Sequence, residues 1–305
     1  MINVAKYAFK VNVSMKLLSV CFAVLLLCSC LFGCAPANPT IDIAATTLPV
    51  YTFTSALCQG TELTVCQLVT ESVSCLHDYS LSVRQVKAVE AADLIVISGG
   101  GLEDFMADLL DNKKIIDSSE TIPLLESCHE HEHSGHAHEH DHDPHFWLSP
   151  SCAKIMAQNI CQGLTDQYPT HAAVFQANLQ TLLSRLDALQ QYGSQQLKSL
   201  FCRELITFHD GFSYFAQSFD LTILKAVEEE SGSEASASEL KELIGLVDDH
   251  QLPAIFTEVN GSASAAQIIA AQTGVKTYAL NMAMSGSDYF AAMYQNIDTI
   301  KEALG

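Results

Sequence analysis

Short apolar runs in this chain alternate with longer stretches in which apolar positions recur every three or four residues. The clearest run, Asp93–Ile97, is continuous, which is typical of a strand buried on both faces of a parallel sheet. Ser82 and Gln85 form a capping-box pattern that predicts a helix to about Ala91. A second helix is predicted over Leu102–Leu110. Strands and helices that alternate with short links predict a parallel α/β layer.

The same alternation returns in the second half of the chain, after a long helical stretch. Ser149 and Pro150 are a favourable N-cap and first helical residue, and the helix they open is predicted to end before Tyr168. From Thr170 to about Leu200 the residues are rich in Ala, Leu and Gln and predict one long helix. The expected fold class is therefore α/β, with two parallel-sheet lobes joined by one long rigid helix.

The N-terminus has the layout of a secretory signal. Three lysines precede an apolar run, Leu17–Phe32, that is short for a transmembrane helix. The run leads into Leu31–Cys34, which resembles a bacterial lipobox, the motif in which a cysteine is lipidated. Cys34 is the predicted lipidation site and Cys30 is the alternative; an uncleaved membrane anchor is the remaining interpretation. Each places the body of the protein outside the cytoplasmic membrane, attached to it.

These patterns divide the 305 residues into five parts. We predict a lipoprotein signal peptide over 1–33, a linker over 34–40, an N-terminal lobe over 41–168 with a histidine-rich loop at 129–142, a connecting helix over 169–200 and a C-terminal lobe over 201–305. Seven cysteines lie beyond the export segment, and no C-x-x-C pair occurs among them. A thiolate zinc knuckle is therefore not expected.

The chain is strongly acidic, with a formal net charge of −20. Residues 1–33 contain three of the 15 basic residues and none of the 35 acidic ones, so the rest has 12 − 35 = −23. Such a surface repels nucleic acid and attracts cations. We therefore expect no nucleic-acid partner.

Seven of the twelve histidines lie in one polar tract. They are His129, His131, His133, His136, His138, His140 and His142. Neutral imidazole is the commonest protein ligand for metals such as zinc, and a tract of polar and small residues cannot form a core. The tract is predicted to be an exposed accessory loop that gathers metal; the alternative is a loop whose deletion changes nothing.

Three single histidines lie where strands or loops meet helices. His77 follows the second predicted strand, His145 precedes a helix, and His209 follows a strand directly after Phe208. Ligands of parallel α/β sheets collect at the carboxyl ends of strands, and three imidazoles around an open fourth position suit Zn²⁺. Each histidine taken alone is also compatible with a buried, hydrogen-bonded structural role.

Three motifs resemble the zinc-binding members of the metal-receptor family of ABC importers, the ZnuA and AdcA type. The motifs are Leu76–Tyr79, Asp143–Pro150 and Thr207–Phe215, and the resemblance runs from about Ile41 to the C-terminus. It implies two lobes, a rigid connecting helix and one metal buried between the lobes. It also implies that the ligands are His77, His145 and His209.

One position departs from the family pattern. Many members have an aspartate ligand in the loop after the last strand, where this chain has Asn281. The fourth ligand is then water, Asn281 through its amide oxygen, or Glu258 at another strand end. Three neutral ligands favour zinc over manganese, which prefers oxygen donors.

The predicted function is an extracytoplasmic receptor that captures Zn²⁺ and delivers it to an ABC permease. Expected partners are Zn²⁺, the permease with its ATPase, and the membrane through the lipid anchor; the chain is expected to be a monomer and not an enzyme. The alternatives are a manganese or iron receptor of the same fold and a zinc hydrolase with Glu258 as base, although no H-E-x-x-H helix is predicted. Cell adhesion is left open as a second role.

Overall fold

The computed structural model describes residues 41–71, 73, 76, 79–126, 142–227 and 235–305. The signal peptide, the linker with Cys34, the alternative Cys30, His77 and the tract histidines up to His140 lie outside the described residues. Within the described part of the chain, no helix is both long enough and apolar enough to cross a membrane.

The described strands form two parallel sheets of four strands each. They are β1 Ile43–Ala45, β2 Val65–Gln67, β3 Leu94–Ile97, β4 Ile115–Asp117, β5 Glu204–Thr207, β6 Thr222–Ala226, β7 Ala254–Glu258 and β8 Lys276–Leu280. The strand orders are β2-β1-β3-β4 and β6-β5-β7-β8. The two lobes therefore share one topology, in which the strand order reverses between β1 and β3 and again between β5 and β7.

Helices connect the strands as the hydrophobic pattern predicts. They are α1 Leu48–Leu57, α2 Val83–Ala91, α3 Ala107–Leu110, α4 Pro150–Gln167, α5 Ala172–Gln196, α6 Ser213–Ser218, α7 Ala237–His250, α8 Ser264–Thr273 and α9 Tyr289–Leu304. The capping box of α2 is confirmed, since Ser82 and Gln85 bond reciprocally. Ser149 caps α4 by accepting from the Cys152 N–H, with Pro150 at the first helical position.

The helix predicted over Leu102–Leu110 is wrong in its first half. The chain there forms a 3₁₀ turn, Asp104–Met106, before the short α3. Gly99, Gly100 and Gly101 all have positive φ, so the chain makes a tight reversal after β3 instead of entering a helix. The Glu103 carboxylate turns back and accepts hydrogen bonds from the N–H groups of Ser98 and Gly99.

The connecting helix α5 has 25 residues, which corresponds to about 38 Å, and it packs against α1 and α4 of the first lobe and α9 of the second. Gly193 lets α5 approach closely, because a Cβ there would lie 2.2 Å from the Phe219 ring. One apolar core runs from β1 through α5 to α9. The fold class predicted from the sequence is confirmed.

Candidate metal centre

The candidate centre lies where the strand order of the second sheet reverses. His209 follows the end of β5 by two residues, and Glu258 is the last residue of β7. The Thr207 hydroxyl donates to the His209 carbonyl at 3.0 Å, and this bond holds the turn. Ligands of open α/β sheets bind outside the carboxyl ends of the strands at such a reversal. The second sheet therefore presents an imidazole and a carboxylate at its natural binding position.

The first lobe contributes His145, whose side chain is 4% exposed. His145 precedes a 3₁₀ turn, Phe146–Leu148, that leads into the cap of α4. Asp143 fixes the residue twice: its Oδ1 accepts from the His145 backbone N–H at 2.9 Å and lies 2.8 Å from Nδ1 of the ring. A hydrogen bond from Nδ1 to this carboxylate requires the Nδ1–H tautomer, in which the Nε2 lone pair is available to a ligand.

The two imidazoles meet edge to face between the lobes. Their ring centroids are 5.0 Å apart at 86°, and the Nε2 atoms of His145 and His209 are 3.2 Å apart. Two nitrogens bound tetrahedrally to zinc at about 2.0–2.1 Å would lie about 3.3–3.4 Å apart. The separation of the two Nε2 atoms is therefore already close to the spacing that a tetrahedral zinc ion requires.

Gly211 allows the imidazoles to come this close. A Cβ at this position would lie 2.7 Å from Cδ2 of His209, 2.5 Å from Cε of Met282 and 3.1 Å from Cγ of His145. Such distances are shorter than van der Waals contact, so any larger residue would displace one of the rings. The spacing of His209 and Gly211 in the chain is thus a steric requirement of the centre.

Trp147 ties the His145 segment to the second lobe. Its indole N–H donates to the Met282 carbonyl at 2.7 Å, and its own carbonyl accepts from the Tyr289 hydroxyl at 2.7 Å. The ring is fully buried and lies 5.2 Å from the His145 ring. The position of His145 relative to His209 therefore depends on two buried hydrogen bonds between the lobes.

A buried tyrosine also links the lobes beside the centre. The Leu125 N–H donates to the Tyr214 hydroxyl at 2.8 Å. Burial, and to a smaller extent the charge of Asp143, raise the pKa of Tyr214 to about 12. The hydroxyl therefore stays protonated and neutral at physiological pH.

Of the tract histidines, His142 is described, and it forms an isolated antiparallel bridge with Glu126. The next residue, Asp143, donates its N–H to the Leu125 carbonyl at 2.9 Å. Glu126 and His142, the described residues on either side of 127–141, therefore lie next to each other. His145 lies three residues beyond His142.

The two candidates for a fourth ligand have other contacts. Oε1 of Glu258 lies 3.1 Å from Nδ1 of His209, within ion-pair distance. Oδ1 of Asn281 accepts from the Ala283 N–H at 2.8 Å, and Asn296 bonds both the N–H and the carbonyl of Asn281. Both side chains line a cavity of about 10 Å³, room for about one water molecule.

The structure brings together His145, His209 and Glu258 of the predicted residues. Among the described residues, no group of three or more His, Cys, Asp or Glu side chains is arranged to hold a metal, and His77 lies outside them.

Five cysteines are described, and all five are free thiols: Cys58, Cys66, Cys152, Cys161 and Cys202. Desolvation raises the pKa of Cys58 to about 12 and also raises that of Cys161, which disfavours their thiolate forms.

No role was predicted for Asp143 from the sequence. It stands in the Asp143–Pro150 motif, but the pattern alone does not show which acid accompanies which ring. The available signal is its spacing: an aspartate two residues before a histidine can bond that residue's backbone N–H in a tight turn.

Two parallel α/β lobes joined by one long helix, with histidines of both lobes meeting between them, define a two-lobed solute-binding protein. The family model described as "Zinc-uptake complex component A periplasmic" (ZnuA) matches residues 43–303. The chain belongs to this ZnuA family.

Similar proteins agree with this assignment. The zinc-binding lipoprotein AdcA of Streptococcus pneumoniae is 28% identical over 308 residues, which cover 95% of this chain and 60% of AdcA. The high-affinity zinc uptake system protein ZnuA of Bacillus subtilis is 27% identical, over 87% of this chain and 88% of that protein. A crystal structure of ZnuA superposes with a TM-score of 0.76 at 29% identity, covering 87% of this chain and all of that one. The chain spans about 60% of the length of the AdcA relatives.

Proposed function

We propose that this chain is an extracytoplasmic receptor that binds Zn²⁺ and delivers it to an ABC permease, which its ATPase drives. The observation that carries the proposal is the 3.2 Å separation of the Nε2 atoms of His145 and His209 between the two lobes. That separation is close to the distance between two ligand nitrogens in a tetrahedral zinc site. Membership of the ZnuA family and the names of the AdcA and ZnuA relatives support the same function.

The proposed ligands are His145, His209 and His77, with one position left over. Water is favoured for that position, since the amide oxygen of Asn281 accepts a backbone N–H and Glu258 lies at Nδ1 of His209. Imidazole ligands rank zinc above manganese and ferrous iron in affinity. The zinc assignment is therefore preferred over a manganese or iron receptor of the same fold.

The first experiment is a competition titration of metal-free protein with Zn²⁺ and Mn²⁺. We expect tighter binding of Zn²⁺, and we expect the double variant His145→Ala/His209→Ala to lose more than about 100-fold in zinc affinity, since even outer-sphere partners are worth up to that factor. The matched control is His250→Ala, because His250 also pairs with a glutamate, Glu204, but stands outside the centre. A preference for Mn²⁺, or zinc binding that survives the double substitution, would refute the assignment.

A zinc hydrolase is the second candidate, and it makes a different prediction. A catalytic site needs a base that reaches a metal-bound water. Glu258 is the nominated base, but its Oε1 lies against Nδ1 of His209. We therefore expect no zinc-dependent turnover of ester or peptide substrates; turnover abolished by Glu258→Gln would favour the enzyme.

The membrane attachment and the histidine-rich loop complete the proposal. We propose lipidation at Cys34, with Cys30 as the alternative, and mass spectrometry of the mature N-terminus tests this.

The loop from His129 to His142 is proposed to gather zinc beside the centre, and its base adjoins His145 through the bridge between His142 and Glu126. Deleting the loop should reduce zinc uptake under limitation; unchanged uptake would remove the role. The receptor is proposed to act as a monomer.

A further inference from the structure

Two buried carboxylates flank the imidazole pair on the sides away from its meeting point. Asp143 is 3% exposed and lies at Nδ1 of His145, while Glu258 is 6% exposed and lies at Nδ1 of His209. We propose that Asp143 and Glu258 are positioning residues, which hold both rings with Nε2 toward the metal. This inference rests on the proposed zinc site and assigns Glu258 a role other than ligand.

Asp143 is the more firmly held of the two. One oxygen of its carboxylate contacts both the backbone N–H and the ring Nδ1 of His145, so the ring cannot rotate without losing a bond. Its other oxygen, Oδ2, is buried and has no hydrogen-bond partner among the described residues. A buried carboxylate left half-satisfied is costly in a protein interior. A cation bound through His145 would relieve that cost, which gives Asp143 a direct effect on metal affinity.

Glu258 performs the same task on the other ring with a looser contact. Its Oε1 lies 3.1 Å from Nδ1 of His209, at the ring edge opposite the nitrogen that faces His145. A carboxylate at Nδ1 is poorly placed to bind a metal at Nε2 of the same ring. Gly261 lies against the Glu258 side chain, since a Cβ there would be 3.1 Å from Cβ of Glu258. The backbone of the loop after β7 thus confines the glutamate next to His209.

The placement of the four side chains suits the proposed cargo. Each imidazole has a carboxyl group at Nδ1, on the side away from the other ring. Carboxylates that accept from the far nitrogen of a metal-binding histidine fix its tautomer and raise its basicity. The arrangement therefore orders the rings before the metal arrives, which reduces the entropy lost on binding.

The test compares four variants, Asp143→Ala, Asp143→Asn, Glu258→Ala and Glu258→Gln. One measurement is zinc affinity by chelator competition; the other is nitrogen-15 NMR of the imidazoles in zinc-free protein at about pH 8.5, above the ordinary imidazole pKa. We expect the alanine variants to lose about 10–100-fold in zinc affinity, and Asp143→Ala to shift His145 toward the Nε2–H tautomer. The hydrogen bond between the two Nε2 atoms places a proton on one of them in zinc-free protein, so Glu258 is judged by zinc affinity alone. An amide oxygen can still accept from Nδ1, so Asp143→Asn should keep the His145 tautomer and both amide variants should lose less affinity.

Glu204→Ala is the matched control. Glu204 pairs with Nδ1 of His250 at 2.9 Å, which is the same kind of contact in a more exposed place away from the centre. Its removal should leave zinc affinity and the spectra of His145 and His209 unchanged. Thermal unfolding of zinc-free protein checks that each variant folds, and the near-isosteric Asn and Gln variants keep the test decisive if an alanine variant does not.

Several outcomes would overturn the inference. Alanine variants with unchanged zinc affinity, and Asp143→Ala with an unchanged His145 tautomer, would remove the positioning role. Amide variants as weak as the alanine variants, together with loss of an oxygen ligand in X-ray absorption of the zinc-loaded Glu258→Gln protein, would make Glu258 a ligand. Failure of the proposed function looks different, because wild-type protein would then bind zinc weakly while the tautomer result in zinc-free protein would stand.

Discussion

The two lobes have the same strand order but fill the reversal of that order in different ways. In the first lobe, Thr46 after β1 and Ser98 after β3 are bridged by Glu103, whose carboxylate accepts from the Thr46 hydroxyl and the Ser98 and Gly99 N–H groups. In the second lobe, His209 lies two residues after β5 and Glu258 is the last residue of β7. The reversal in the first lobe is occupied by hydrogen bonds within that lobe. The reversal in the second lobe directs a ring nitrogen of His209 toward the other lobe.

The difference shows that the shared strand order creates a position where a ligand can bind. The side chains at that position decide whether a ligand binds there. A carboxylate satisfied by three donors of its own lobe has little to offer a cation. An imidazole whose Nε2 faces a second imidazole across the lobe boundary has a lone pair in the right place. Substitutions at the strand reversal of the first lobe should therefore change stability, and substitutions at the reversal of the second lobe should change metal binding.

The largest effect on stability is expected from Glu103→Ala. The substitution leaves the Thr46 hydroxyl and two backbone N–H groups buried without their acceptor, at about 1–3 kcal/mol each before water enters. We expect the free energy of unfolding of zinc-free protein, measured in urea, to fall by about 3–5 kcal/mol, with zinc affinity changed less than threefold, roughly the scatter of distant substitutions.

Glu90→Ala is the control for this comparison, since Glu90 is an exposed glutamate near the end of α2. Its stability should stay within about 0.5 kcal/mol of wild type. If Glu103→Ala instead weakened zinc binding as strongly as the loss of His209, the two strand reversals would not have separate roles in stability and metal binding.

The pH dependence of stability should show the second largest effect. Desolvation raises the pKa of Glu103 from 4.5 to about 7, against the opposing hydrogen bonds from Thr46, Gly99 and Ser98. Because the folded pKa lies above the unfolded one, the stabilisation is complete below about pH 4.5 and is lost as pH rises through 7. The loss is at most about 3 kcal/mol.

Urea unfolding of wild type and Glu103→Gln over this pH range measures the contribution. Glutamine does not titrate, so the stability of wild type relative to the variant should decline as pH rises. Parallel curves for the two proteins would mean that Glu103 does not titrate in this window.

The smallest effect is expected at the junction of the lobes. Tyr289→Phe removes the hydroxyl that donates to the Trp147 carbonyl, a buried bond of 2.7 Å. We expect a loss of about 1–2 kcal/mol in the free energy of unfolding, because the carbonyl is left unsatisfied. Tyr192→Phe, which loses an exposed bond to Asp298, should cost about 0.5 kcal/mol or less. Equal losses in the two variants would show that the junction bond adds nothing beyond a surface bond.

Local patterns in the sequence were enough for the fold class and for most element positions. The reciprocal cap of Ser82 and Gln85 and the Ser149–Pro150 helix start depend on neighbours in the chain, and both are present. The prediction of a helix over Leu102–Leu110 was wrong in its first half. The Glu103 carboxylate accepts hydrogen bonds from the Ser98 and Gly99 N–H groups, and these contacts outweigh the helical pattern.

The candidate site was predictable in part. The histidine motifs pointed to His145 and His209, and these two rings do meet, whereas His77 as a ligand stays a prediction. The fourth ligand was left open between Asn281, Glu258 and water because the choice depends on contacts across the fold. Asn281 is held by Asn296, fifteen residues away, and Glu258 lies beside a ring from the neighbouring strand.

The sequence by itself determined which side chains could bind a metal and that strands and helices alternate, since residue chemistry and hydrophobic periodicity are local properties. The tertiary structure alone decided that residues 64 apart in the chain bring their Nε2 atoms to 3.2 Å, that Asp143 and Glu258 lie behind the rings, and that Glu103 closes the other lobe. These arrangements depend on how two lobes pack around one helix, and distances of that kind are set by contacts that no local pattern contains.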